Sequence, residues 1–135
     1  MTRILLVDDD DIDAALVEDE FRRVPGRVMV ERVRDGDACM SRLHDLTKKR
    51  PDVIFLDLKM PIKSGREVLA ELRADPSLAV IPVVVLSGSD VDADRLRAYE
   101  LGCNGYVTKP GTAERYAQVM HDVWRYWIVH NRPPP

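Results

Sequence analysis

Short apolar runs recur along the chain: Ile4-Leu5-Leu6-Val7, Val53-Ile54-Phe55-Leu56 and Val83-Val84-Val85-Leu86. Continuous runs of this length, rich in β-branched and aliphatic residues, fit strands buried on both faces of a parallel sheet. They predict strands over Arg3–Val7, Val53–Asp57 and Ile81–Ser87. Arg27–Val33 instead alternates, with Val28, Val30 and Val33 read as the face of a strand covered mainly on one side. A short last strand, Gly105–Thr108, is stopped by Lys109-Pro110, because proline has no N–H to give a ladder.

The stretches between these strands carry the helical period. Asp11 is placed to cap a helix with Ala15, Leu16, Phe21 and Val24, ended by Pro25-Gly26. Asp35 caps a second, through about Lys48, carrying Ala38, Cys39, Leu43 and Leu46. Ser64-Gly65-Arg66-Glu67 is a capping box, opening a third helix that runs to about Ala74, before Pro76. Asp90 caps a fourth running to Leu101, where Gly102 suits the left-handed position after a helix end. Thr112 opens the last, through His130. Strand and helix thus alternate five times, the pattern of a doubly wound, five-stranded parallel α/β sheet with helices on both faces. Residues 1–131 read as one domain, and Arg132-Pro133-Pro134-Pro135 as a flexible Pro-rich tail.

Composition narrows the class without changing this picture. Of 135 residues, 45% are hydrophobic and 32% charged, ordinary for one soluble domain. A net charge of −3 argues against nucleic acid as a partner. No apolar run approaches a membrane span, and the N-terminus enters a strand directly instead of a signal peptide. Cys39 and Cys103 are isolated, which reads as two reduced, buried thiols in a cytoplasmic protein.

The residues just past each strand end carry the chemistry. The first strand delivers Asp8 and Asp9, the third Asp57, the fourth Ser87 and the fifth Lys109. In a parallel sheet these ends share one edge, where open α/β sheets bind ligands. Crowded carboxylates repel unless a cation is present. Hard oxygen ligands without histidine or thiolate suit Mg²⁺, which keeps waters and accepts phosphate oxygens. A reactive carboxylate, a divalent metal, an ammonium and a hydroxyl together make equipment for phosphoryl transfer.

The motifs Val7-Asp8-Asp9, Leu56-Asp57-x-x-Met60-Pro61, Leu86-Ser87-Gly88 and Tyr106-Val107-x-Lys109-Pro110 resemble those of response-regulator receiver domains, over residues 1 to about 130. The resemblance implies the flavodoxin-like strand order 2-1-3-4-5 and makes Asp57 the phosphoacceptor. It implies Mg²⁺ on Asp9, Asp57 and the backbone carbonyl of Lys59, with Asp8 acting largely through metal-bound water. It further implies that Lys109 and Ser87 bind phosphate oxygens, that Tyr106 turns inward when phosphate arrives, and that the Lys109–Pro110 peptide is cis. The partner would be a histidine kinase donating its phosphoryl group, and the output a protein contact; the chain is not read as an enzyme. The Asp75-Pro76-Ser77-Leu78 to Ile81-Pro82 segment also resembles stand-alone receivers paired with phytochrome-like kinases.

Asp10 and Asp11 serve as solvated or capping acids, the Lys59 side chain as a surface charge, and His44, His121 and His130 as surface residues. Asp9-x-Asp11-x-Asp13 with Glu20 has EF-hand spacing, but Ala14 stands where the sharp turn needs glycine. Asp8-x-Asp10 after a strand resembles the first motif of haloacid-dehalogenase phosphatases, whose other motifs are missing. A module with this fold that signals without phosphorylation is the competing class, and the complete acid set argues against it. The last helix ends in Val123, Trp124, Tyr126, Trp127, Ile128 and Val129, apolar on nearly every side. A helix on a sheet buries one stripe, so Trp124, Trp127 and Ile128 are assigned to a homodimer interface, in agreement with the resemblance.

Overall fold

A computed structural model of the chain describes every residue except Pro25. Its elements follow in order as β1 (Thr2–Val7), α1 (Asp11–Arg22), β2 (Val28–Val33), α2 (Gly36–His44), β3 (Val53–Asp57), α3 (Gly65–Ala74), β4 (Val83–Ser87), α4 (Asp92–Glu100), β5 (Gly105–Thr108) and α5 (Ala113–Trp124). A π-helical turn, Arg125–His130, continues α5. All strand pairs are parallel, in the order β2-β1-β3-β4-β5.

Alternation along the strands divides the core into two layers. Leu5, Val7, Ile54, Leu56, Val83 and Val85 pack with Cys39 and Leu43 of α2, Val68, Leu69 and Leu72 of α3, and Ala98 of α4. Ile4, Leu6, Phe55, Val84 and Leu86 pack with Ala14, Val17 and Phe21 of α1 and with Tyr116, Met120, Val123 and Trp124 of α5. β3 and β4 are buried along their whole length, as central strands of a doubly wound sheet must be.

Several boundaries differ from those read off the sequence. Asp10, not Asp11, caps α1: its carboxylate accepts from the N–H groups of Ile12 and Asp13 at 2.9 and 3.0 Å. Asp11 already belongs to the helix and turns out to Arg32 and Arg34. Val33 packs with the α2–α3–α4 layer while Val28 and Val30 face α1 and α5, because an odd separation puts it on the opposite face. α2 stops at His44, where the Asp45 carboxylate takes the N–H and hydroxyl of Thr47, leaving Leu46 exposed. α4 begins at Asp92, two residues after Asp90, with no side-chain cap. The stop assigned to Pro25 lies outside the described residues; Gly26 has φ of 113° and Gly102 of 102°, both left-handed. Ser64 and Thr112 cap as expected.

Trp124 is not on the surface. Its ring is buried in the layer beneath α1 and α5, and Trp127 and Ile128 pack partly against the same layer. The apolar side chains that the π turn leaves outward are Tyr126 and Val129, both more than half exposed, with Arg125 and His130 exposed beside them. The tail is also engaged: the Arg50 guanidinium donates to the carbonyls of Pro134 and Pro135.

Candidate functional site

Strand parity sorts the polar residues at the carboxyl edge. Asp8 continues the Ile4–Leu6 face of β1, Asp57 the Val53–Phe55 face of β3, and Lys109 the Val107 face of β5. All three therefore arrive on the α1–α5 side, as successive alternate residues must. The ladder holds them there, since the N–H of Asp8 donates to Val33 and that of Lys109 to Ser87. Ser87 continues the Val83–Val85 face, and Tyr106 packs on the opposite, α2–α3–α4 layer. The charged cluster and the hydroxyl pair thus sit on either side of one sheet edge.

The Lys109 ammonium is the hub. Its Nζ stands 2.9 Å from Asp8 Oδ2, 2.9 Å from Asp13 Oδ2 and 3.5 Å from Asp57 Oδ2. Oxygens of Asp8, Asp9 and Asp57 lie within 4.8 Å of one another. Asp8 and Asp57 are buried and Asp9 is exposed at the rim of an open crevice of about 700 Å³. Burial raises the Asp57 carboxyl to about 6 against the pull of Lys109, and the charges of Asp8 and Asp9 push the same way as burial. For Lys109 burial disfavours the ammonium, but hydrogen bonds to Asp8 and Asp13 and the charge of Asp57 outweigh it, and its pKa is raised. Three converging carboxylates against one ammonium leave excess negative charge on hard oxygen donors, a set that fits a divalent cation such as Mg²⁺ or Mn²⁺.

The supporting contacts are short. The N–H of Asp10 donates to Asp8 Oδ1 at 2.9 Å, and that of Lys59 to Asp57 Oδ1 at 3.2 Å. Behind Asp57, Gly65 opens α3 in contact with the Asp57 carbonyl oxygen, which a Cβ at that position would overlap. Arg32 forks onto the Asp8 carbonyl through Nε and Nη2, at 3.1 and 3.0 Å, and grips Asp11 with Nη1. Ser87 Oγ is buried and accepts from the N–H of Ser89 at 3.2 Å. The Tyr106 hydroxyl donates to the Ser89 carbonyl at 2.8 Å, tying β5 to the loop after β4.

Asp8, Asp9, Asp57 and Lys109, all expected at one crevice, are together there. Lys59 lines it too. The Lys109–Pro110 peptide is not cis, as no peptide among the described residues is, yet Lys109 still reaches all three acids. Asp13 and Arg32 join the site without being expected there from the sequence. Asp13 was legible in principle: with Val17 and Phe21 it follows a four-residue spacing that carries the buried stripe of α1 to the sheet edge.

Fold and site together define a receiver: a carboxylate crevice with its lysine at the edge of a five-stranded 2-1-3-4-5 sheet. The chain belongs to the response regulator receiver domain family, whose pattern it matches over residues 4–121. It is 36% identical over 129 residues to Response regulator Rcp1 of Synechocystis, covering 93% of this chain and 88% of that protein. It is 37% identical over 134 residues to a probable methanogenesis regulatory protein, FilR2, of Methanothrix harundinacea, covering 97% and 86%. The crystal structure of the Mn²⁺-bound form of Rcp1 superimposes with a TM-score of 0.95 at 34% identity over 100% of both chains. That of the phosphorylated cyanobacterial phytochrome response regulator RcpA does so with 0.94 at 36% identity over 99% of both. The 135 residues therefore form a receiver domain of two-component signalling. Among the described residues no helix is long and apolar enough to cross a membrane.

Proposed function

We propose that Asp57 accepts a phosphoryl group from a histidine kinase and that the domain signals through protein contacts. The observation that carries this reading is the Lys109 ammonium shared by Asp8 and Asp57 beside a three-carboxylate cluster. Asp8, Asp9, Asp57 and the Lys59 carbonyl would hold Mg²⁺, which when bound supplies positive charge against the phosphoryl oxygens. An Asp57 carboxylate oxygen forms the new P–O bond while the P–N bond of the phosphohistidine breaks, and the imidazole leaves with its electron pair. Lys109 meets one phosphoryl oxygen. The Ser87 hydroxyl donates to another once the loop moves inward, and Tyr106 follows the same loop through its bond to Ser89. Phosphate thereby favours one of two arrangements by contacts absent from the other.

Several features support the finer points. Rcp1 was crystallised with Mn²⁺ and RcpA in phosphorylated form as a phytochrome response regulator, which favours a divalent metal, a phosphoacceptor and a phytochrome-like kinase here. The net charge of −3 favours protein over nucleic acid as partner, and with the reduced, buried thiols a cytoplasmic setting. Transfer to Asp57 and loss to water are the domain's own limited chemistry, so we read it as a signalling protein and not an enzyme. Tyr126 and Val129 favour self-association through the end of α5.

Incubation with acetyl phosphate and Mg²⁺, followed by intact mass, tests the central point. The wild type gains one phosphoryl group and Asp57→Asn none. A wild type that stays unmodified favours the module that signals without phosphorylation.

A further inference from the structure

We infer that Asp13 is a positioning residue for phosphoryl transfer, a brake that holds the Lys109 ammonium against the incoming phosphoryl group. The inference rests on the reading of Asp57 as phosphoacceptor. Lys109 has three N–H donors. Two of them are committed at 2.9 Å, to Asp8 and to Asp13, while the contact to Asp57 is longer, at 3.5 Å. Asp8 is almost wholly buried and fixed by the Asp10 N–H as well, so it cannot release the ammonium without leaving a buried charge alone. Asp13 differs in each respect. Its side chain is 28% exposed, on the first turn of α1, and it is not one of the three acids grouped for a metal. It can let go of Lys109 and turn to water at modest cost.

The charge count gives the direction. Three carboxylates contact the one ammonium, and Asp13 is the one of them that neither accepts phosphate nor belongs to the metal group. A phosphoryl group on Asp57 adds negative charge on the side of Lys109 where the contact is weakest. Asp13 competes for the ammonium that should meet that charge. Removing it releases Lys109 toward the phosphoryl oxygens, which speeds uptake and stabilises the phosphorylated state against loss to water.

The test compares wild type, Asp13→Asn, Asp13→Ala and Asp13→Glu at saturating Mg²⁺. Uptake from acetyl phosphate and decay after its removal are followed by intact mass. Asp13→Asn and Asp13→Ala should take up phosphate faster and keep it longer, by roughly three- to tenfold, and Asp13→Glu should stay near wild type. A brake acting through Lys109 must vanish without it, so Asp13→Asn should change nothing when added to Lys109→Met. The same fold-change in both backgrounds, unchanged kinetics in the single variants, or slower uptake would each overturn the inference. A wild type that takes up no phosphate would remove the reading of Asp57, and this one with it.

Discussion

Asp57 is held in a state that costs the fold stability. Burial raises its carboxyl to about 6, and Lys109, the strongest opposing influence, does not bring it back to the ordinary range. The folded chain therefore binds this proton more tightly than the unfolded chain does. The stabilisation from that proton is complete below the ordinary carboxylate range and is lost as pH rises through about 6. In EDTA at pH 7.5, Asp57→Asn should accordingly be more stable than wild type by about 1–3 kcal/mol, and the gap should close as pH falls toward 5. Urea midpoints across that range check it. Mg²⁺ should narrow the gap from the other side, because an ion that binds only the folded wild type adds about 2.7 kcal/mol at one hundred times its Kd. A gap that widens toward low pH would contradict the assignment. This one residue was also the most legible in the chain. An apolar run ending abruptly in a carboxylate leaves little choice of where that carboxylate stands, whereas Asp13, in the first turn of a helix, gives no such sign without the buried stripe it extends.

At the scale of elements, what could be read from local sequence was what is fixed by local bonds. Ser64 and Thr112 cap their helices because each hydroxyl needs only an N–H three residues on. The end of α2 was misread because Leu43 and Leu46 keep the helical period, and only the Asp45–Thr47 turn reveals that the chain has left the helix. Long-range bonds were invisible, and Arg73 is the clearest case. From α3 its guanidinium donates to the carbonyls of Gly102, Ala79 and Ile81 and to Asn104 Oδ1, at 2.9 to 3.0 Å. Asn104 Oδ1 also accepts from the Val83 N–H, so one side chain joins the entrances of β4 and β5 to α3. Arg73→Met keeps the apolar stem and removes every donor. It should cost about 2–3 kcal/mol in urea unfolding with an unchanged slope. Arg73→Lys should recover little of this, since a single ammonium cannot span a planar fork of acceptors.

For the molecule as a whole, the two ends of the sheet have separate tasks: the carboxyl edge gathers charge, and the end of α5 presents apolar surface. Trp124 was assigned to an interface because counting apolar positions does not show how wide a stripe the core can take. Here the core takes more than one stripe. Gly105 lacks the Cβ that would stand 3.1 Å from the Trp127 ring, so that ring lies close over β5. The apolar groups left outside are Tyr126, set edge-on to Trp127 with ring centroids 5.0 Å apart, and Val129. If a second copy covers them, the wild type at tens of micromolar should scatter light as twice the 15.4 kDa chain. A two-fold interface uses the same patch on both copies, so Tyr126→Glu with Val129→Glu puts four carboxylates into it and should give a monomer. Both side chains are more than half exposed in the single chain, so the double variant should keep the wild-type unfolding midpoint measured below the association range. Leu96→Glu, on the exposed side of α4, is the control that should leave the dimer intact. A wild type that is monomeric at these concentrations, or a dimer that Leu96→Glu breaks and the α5 variant spares, would move the contact away from this helix end.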